Sequence, residues 1–251
     1  MTFLFDEIIY KPIYNLLIFV YSIFPFHDFG IAIVIVTIFI KFLLIPLSKK
    51  QIESQKKMQE IQPKIKEIQT KYKNDKEKQS RALMELYKEK KANPFSGCLP
   101  TIVQLVFLIA IYRVLFNISN AGLVVNAADL YVFISDPGQI EKMFLGIIDL
   151  ASVLNLSELT IRNIPQIILV FLAAASQYIQ TKMIMGKQGA APVGKDADFS
   201  QIMSKQMLYL GPVFTLFIGI KFPAGLALYW LVSTVFMIVQ QYCLQKPVIE
   251  S

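Results

Sequence analysis

The stretch FGIAIVIVTIFIKFLLIPL, Phe29 to Leu47, carries a single charge, Lys41. A helix needs about 20 mostly apolar residues to cross the roughly 30 Å hydrocarbon core of a bilayer, and these nineteen approach that length. A charge at the centre of such a span costs about 2.5–3.5 kcal/mol even on the most lenient scale. Lys41 lies seven residues before Ser48, so at 1.5 Å per residue it sits about 10 Å inside the boundary. Thr37 lies one turn deeper on the same face. Two readings stay open. The lysine snorkels to the headgroups along its apolar stem, or it lines a polar pocket within the bundle.

Working outward, the chain of 251 residues is 55% hydrophobic. Soluble domains average about 45–50% apolar with glycine counted, so the composition indicates a polytopic membrane protein. Apolar runs recur at 98–118, at 164–185 and over the long block 206–244. The last is too long for one span and is broken by Phe222-Pro223-Ala224-Gly225, a strong turn signal. The predicted fold class is therefore an all-α polytopic membrane protein with five transmembrane helices. The spans fall at 28–48, 97–118, 164–185, 205–222 and 223–244, with a linker at 186–204 and a tail at 245–251. The densest apolar part of the N-terminal segment, Tyr14 to Phe26, is 13 residues long, which favours an interfacial helix over a span. Residues 1–27 are assigned to such an amphipathic helix, with a spanning helix as the alternative.

Asp6 and Glu7 near the start, and the lack of a small-residue cleavage pattern, argue against a signal peptide or an Arg-rich transit peptide. Cys98 and Cys243 are far apart and His27 is the only histidine. No disulfide framework or metal site is implied, and no cofactor is expected.

Loop charges set the predicted orientation. Lys49 to Lys91 hold 14 basic against seven acidic residues, whereas Asn117 to Asn163 hold two, Lys142 and Arg162, against five. The first segment is read as cytoplasmic and the second as outside, which puts the N-terminus outside and the C-terminus inside. Within the basic segment, Met58, Ile61, Ile65, Ile68 and Tyr72 recur at spacings of 3 and 4, a coiled-coil seam. Leu83, Leu86 and Tyr87 supply a facing stripe after the polar KNDKEK turn at 73–78. An antiparallel helical hairpin is predicted over 49–96, kinked at Pro63. Short interfacial helices are expected in the outer loop, 119–163.

No HExxH, GxSxG or P-loop motif occurs, and the spans hold almost no acids, so no enzymatic chemistry is indicated. Polar residues inside the spans are more informative: Thr37 and Lys41, Gln104 and Arg113, Gln177, and Tyr229, Trp230 and Ser233. Such groups normally face a bundle interior or wet cavity, because lipid cannot satisfy them. Arg113, in the outer half of its helix, is expected to snorkel to the outer headgroups. By position alone Tyr229 and Trp230 read as interface anchors.

The ordered motifs FIKFLLIPL, MQEIQPKIKEIQTKY, ELYKEKKANPFSGCLPTIVQ and FPAGLALYWLVSTVFMIVQQ together resemble the YidC/Oxa/Alb membrane protein insertases, from about Tyr10 to Gln241. The resemblance implies a five-helix core with a hydrophilic groove open to the cytoplasm and the bilayer and closed to the outside. It places Lys41 where many bacterial members carry the groove arginine, Thr37 one turn away, and Tyr229 and Trp230 at the aromatic pair. Members commonly have tyrosine where Trp230 stands, so an indole N–H replaces a hydroxyl. The expected groove set is Lys41, Thr37, Gln104, Gln177, Tyr229, Trp230 and Ser233.

The implied activity is insertion and chaperoning of nascent membrane proteins in the bacterial cytoplasmic (inner) membrane. Ribosome, Sec translocon and anionic lipid headgroups are the expected partners, with no small-molecule substrate and no specific nucleic acid sequence. The chain is similar to the short type, without the large outer domain that precedes this core in many Gram-negative members. The alternatives are a small transporter or channel with Lys41 as pore counter-ion, and an assembly factor that binds partner helices.

Overall fold

The structure, a computed structural model, describes residues 2–25, 27–93, 99–157, 160–189 and 199–244. The NPFSGC motif beyond Asn93, residues 190–198 of the 186–204 linker and the 245–251 tail lie outside the described residues. Among those described, nine α-helices dominate: α1 Thr2–Phe5, α2 Lys11–Ile23, α3 Phe29–Leu43, α4 Ile45–Lys71, α5 Lys76–Glu89, α6 Leu99–Asn120, α7 Ile164–Gly189, α8 Phe199–Lys221 and α9 Ala224–Leu244.

Among the described residues, three helices carry stretches long and apolar enough to cross a membrane: Ile102–Asn120 of α6, Ile161–Ile184 of α7 with the turn before it, and α9. The bent pair α3 and α4 makes a fourth if it is taken as one span, and the apolar part of α8 is the shorter Leu208–Lys221. The nineteen-residue apolar run thus does not make one straight helix. Asp28 caps α3 by accepting from the Ile31 N–H at 3.0 Å, and α3 ends at Leu43. Pro46 follows in the first turn of α4. A proline has no N–H for the carbonyl four residues back and its ring clashes there, and the axis bends by 66°.

α4 runs on through Pro63 and folds back onto α5 across a short turn. Asp75 caps α5, accepting from the Lys78 N–H at 3.0 Å. Ile61, Ile65, Leu86 and Ala92 form a small core of their own, flanked by Met58, Ile68, Leu83 and Tyr87. The 3/4 spacing therefore packs against the second helix.

α1 and α2 are joined by a wide π-helical turn, Asp6–Tyr10. Lys11 N–H donates to Asp6 O, five residues back, next to Pro12, which has no N–H to give. α2 buries Ile13, Tyr14, Leu17, Ile18 and Tyr21 in the main core with parts of α3, α6 and α9. Its one buried amide, Asn15, is fully used. Nδ2 donates to Lys11 O and Asp129 O, both at 2.8 Å, and Oδ1 accepts from Tyr131 N–H at 2.6 Å.

Where short interfacial helices are expected over 119–163, the described residues hold instead two 3-10 turns, Ala127–Asp129 and Ile161–Asn163, and a two-stranded hairpin. In the hairpin Met143 pairs with Asp149 and Phe144 with Ile148. The physical reason is backbone punctuation: Gly122, Leu123, Gly138, Leu145 and Gly146 all take positive φ, which interrupts any helix. This loop packs onto the starts of α3 and α9. A Cβ on Gly30 would come within 2.2 Å of the Phe144 ring, so only glycine lets the hairpin sit that close. Ala224 and Gly225 N–H groups donate to Ser152 O at 2.9 Å and Leu150 O at 3.0 Å, satisfying donors that a helix start leaves open. The bundle thus has a loop end, at the starts of α3 and α9, and a hairpin end, where α4 meets the ends of α7 and α9.

Candidate functional site

The apolar residues of α9 recur at every position near its start, but its polar ones fall on one stripe: Tyr229, Trp230, Ser233, Thr234, Gln240 and Gln241. Steps of one, three, four and seven keep these residues on one side of a helix. That stripe faces α3, α6 and α7, and it organises the polar interior.

Deepest is a fully enclosed cluster. Ser233, 0% exposed, donates to Gln104 Oε1 at 3.1 Å, and the Tyr229 hydroxyl donates to Gln104 O at 3.3 Å. Gln104 Nε2 and Thr234 Oγ1 are buried there with no partner among the described residues. Next to it, the Trp230 indole N–H donates to Gln177 Oε1 at 2.8 Å. The indole N–H therefore has a hydrogen-bond partner of its own. Its ring also meets Phe214 edge-on, with centroids 6.0 Å apart.

Lys41 lies nearer the hairpin end. Its ammonium is 3.3 Å from the Met237 sulfur, a weak acceptor, and no carboxylate pairs with it among the described residues. Gln180 Nε2 approaches the same sulfur at 3.4 Å. Thr37 is buried, and its hydroxyl donates to Ile33 O at 2.6 Å within its own helix. Of the seven expected residues, Gln104, Tyr229 and Ser233 thus form one cluster, and Gln177 pairs with Trp230. Lys41 stands apart from both and reaches α9 through Met237, whereas Thr37 bonds only to its own turn.

Sequence reasoning missed Gln180 and Met237, and it missed the glutamines of α4. Gln51 and Gln55, four residues apart in a highly charged segment, are buried. With Gln180, Gln240 and Gln241 they surround a cavity of about 20 Å³, which is room for a single water. The available signal was the i, i+4 amide pair itself, hidden among lysines that suggest a fully solvated face.

Arg113 behaves differently from expectation. Instead of reaching outward alone, it pairs with Asp6 of the π-helical turn and lies over the rings of Phe5 and Tyr10, 5.6 and 5.1 Å from their centroids. Asn117 also donates to the Tyr10 hydroxyl at 2.9 Å. Burial is the main cause that raises the Tyr10 phenol above its ordinary range. An ion pair with two ring faces satisfies the guanidinium locally, so it has no need of headgroups. Among the described residues, no group of three or more His, Cys, Asp or Glu side chains could hold a metal ion.

The comparisons with known proteins agree with this architecture. The family model described as "60Kd inner membrane protein" matches residues 19–251. A protein of Fusobacterium nucleatum named membrane protein insertase YidC is 34% identical over 220 residues, covering 87% of each chain. Proteins of the same name from Geotalea daltonii and Shewanella halifaxensis are each 34% identical, over 239 and 230 residues. They cover 94% and 92% of this chain, but the chain spans only 37% and 35% of their length. The match runs through the bent α3–α4 pair, the hairpin and the polar stripe of α9, and the chain belongs to the YidC/Oxa/Alb family of multi-pass membrane proteins.

Proposed function

We propose that the protein is a non-enzymatic insertase of the cytoplasmic membrane, working through a polar groove that opens to the cytoplasm at the hairpin end. The observation that carries this reading is Lys41, a cation inside an apolar bundle whose near contact is a thioether rather than a carboxylate. A part-buried charge without a counter-ion among the described residues is costly, which favours a site kept wet and waiting for an anionic group. In this reading the core has five spans: α3, α6, α7, α8 and α9. The basic α4–α5 hairpin projects into the cytoplasm, and the N-terminus and the 119–163 loop lie outside.

The mechanism follows from solvation. Each polar group of a hydrophilic tail loses hydration on entering hydrocarbon, at several kcal/mol unless it finds a partner. A groove lined by Gln104, Gln177, Trp230 and Ser233 offers replacement hydrogen bonds along part of the path. Lys41 adds a transient attraction for acidic tails. α3 has fifteen residues, about 22 Å of helix at 1.5 Å per residue, against a hydrocarbon core of about 30 Å. A short first span shortens the dry path in addition. Once the tail is across, the hydrophobic segment leaves sideways into lipid, driven by apolar burial at about 25 cal/mol per Å². No bond is made or broken.

Closure at the loop end supports an insertase over a two-sided channel. Phe29, Ile33, Val36, Ile111, Val114 and Leu226 are each at most 2% exposed, so apolar side chains fill the space on the outer side of Thr37. Ribosome, Sec translocon and anionic lipid are the partners proposed for the hairpin, whose two-to-one excess of basic residues suits polyanions. The test is reconstitution of the purified chain into protein-free liposomes with a short-tailed membrane protein substrate. The tail should become protected from added protease. A tail that remains accessible at the level of empty liposomes, with the chain folded, would overturn the reading.

A further inference from the structure

Below Lys41 the polar stripe of α9 continues to Gln240 and Gln241, and this lower part has a different chemistry. Among the described residues no charged side chain lines the cleft, which pairs Gln180, Gln240 and Gln241 with Gln51 and Gln55 of α4. Gln241 is 3% exposed, and both Gln240 Nε2 and Gln241 Nε2 are buried with no hydrogen-bond partner among the described residues. The unmet capacity is donor capacity: each amide nitrogen offers two N–H groups. A water molecule in a cavity of about 20 Å³ accepts only about two hydrogen bonds, fewer than these two amides can give. What they lack is a larger run of neutral acceptors, and an extended polypeptide presents one in its main-chain carbonyls.

α4 lies over the cleft. Lys56 Nζ donates to Leu244 O at 3.0 Å. Gln59 Nε2 donates to Met183 O at 3.3 Å and also to Ile184 O. These long side chains hold α4 against the hairpin-end parts of α7 and α9, and Leu244 O is one of the carbonyls that a helix end leaves unpaired. The bend between Leu43 and Ile45 separates this cover from the embedded α3. Met237, shared by Lys41 and Gln180, makes the cleft continuous with the lysine above it.

We propose that Gln180, Gln240 and Gln241 form a second polypeptide subsite, which takes the main-chain carbonyls of an uncharged polar segment, and that α4 covers it between clients. The proposal rests on the insertase reading and divides its labour: Lys41 serves charge, and the amides serve any sequence. Exchange of both amides for isosteric apolar groups gives the test, with the full chain in liposomes and two substrates that differ only in a Ser/Gly/Asn tail or an acidic tail. For Gln240→Leu with Gln241→Leu, insertion of the neutral-tailed substrate should fall roughly fivefold, the scale of about one net hydrogen bond. The melting temperature should hold or rise, because two unpartnered buried donors are gone.

Wild-type insertion of the neutral tail by that variant would overturn the subsite. So would a joint loss of insertion and melting temperature, which would mark the amides as structural. Lys41→Ala, run in parallel, should lower only the acidic-tailed substrate. If it does so while the double variant behaves as wild type, the subsite fails and the insertase reading stands. If wild-type protein inserts neither substrate, the parent reading fails.

Discussion

Two cations enter the helix bundle from opposite ends, and their surroundings have little in common. Arg113, towards the loop end, is held by the Asp6 carboxylate and two aromatic faces. Lys41, towards the hairpin end, meets a methionine sulfur. The contrast extends to the neutral groups. At the loop end Asn15 uses all its hydrogen-bonding arms that the backbone can reach, and helix starts are capped by loop carbonyls. Towards the hairpin end Gln104, Gln240 and Gln241 each keep a buried amide nitrogen without a partner among the described residues. A satisfied polar network rigidifies, whereas a partly satisfied one costs free energy. Among the described residues the polar groups are thus satisfied at the loop end and left with open donors towards the hairpin end, the asymmetry on which the proposed groove rests.

The largest expected effect comes from removing the unpaired cation. Lys41→Ala should slow insertion of an acidic-tailed substrate by about tenfold or more, equivalent to about 1.4 kcal/mol of lost attraction. Lys41→Arg should stay near wild type, because the charge remains. Equal rates for all three proteins would erase the contrast between the two ends.

At the closed end the effect should fall on stability. Asn15→Leu leaves Asp129 O and Tyr131 N–H without their side-chain partner, and orphaned buried groups cost about 1–3 kcal/mol each. A loss of about 3 kcal/mol, read as a lower melting temperature and faster proteolysis within 120–142, is expected with little change in insertion rate per folded molecule. Arg113→Met should cost less, about 1 kcal/mol, since both ion-pair side chains remain about one-third exposed. High salt should shrink that difference.

The smallest effect concerns the hairpin turn. The Lys78 N–H and ammonium hold the Asp75 carboxyl below its ordinary range. A depressed carboxylate stabilises the fold above its unfolded pKa and loses that contribution as pH falls through the folded value. The protection of the first-turn amides of α5, measured as the exchange rate relative to an unstructured peptide at the same pH, should therefore fall as pH drops below about 4, and Asp75→Asn should abolish the change.

Much of this was legible in the sequence, for reasons that differ by element. The hairpin seam could be read because Ile61 and Ile65 lie one turn apart and Leu86 answers them from the next helix. The break before α9 could be read because Pro223 leaves no other choice. Lys41 stood out because an apolar background makes one charge visible. The partners of polar groups could not be read in this way. Asp6 and Arg113 are 107 residues apart, and nothing local to either names the other. Gln51 and Gln55 sit among lysines, where an amide suggests solvent, and only the 66° bend at Leu44 turns them towards α7 and α9. The outer loop resisted prediction because its conformation depends on left-handed backbone at Leu123 and Leu145, residues that rarely adopt it.

The central claim is a polar stripe that is wet from the hairpin side alone. It is tested most directly by single cysteines at Gln180, Ser233 and Ile33, placed in a chain whose Cys98 and Cys243 are replaced by serine, in oriented membrane vesicles. A membrane-impermeant thiol reagent added on the hairpin side should label Gln180→Cys at the rate at which α4 uncovers it, and Ser233→Cys more slowly. The same reagent added on the loop side should label neither, and Ile33→Cys should resist both. Labelling of Ser233→Cys from both sides would show a through-going pore and contradict the one-ended groove, as would protection of Gln180→Cys from the reagent added on the hairpin side.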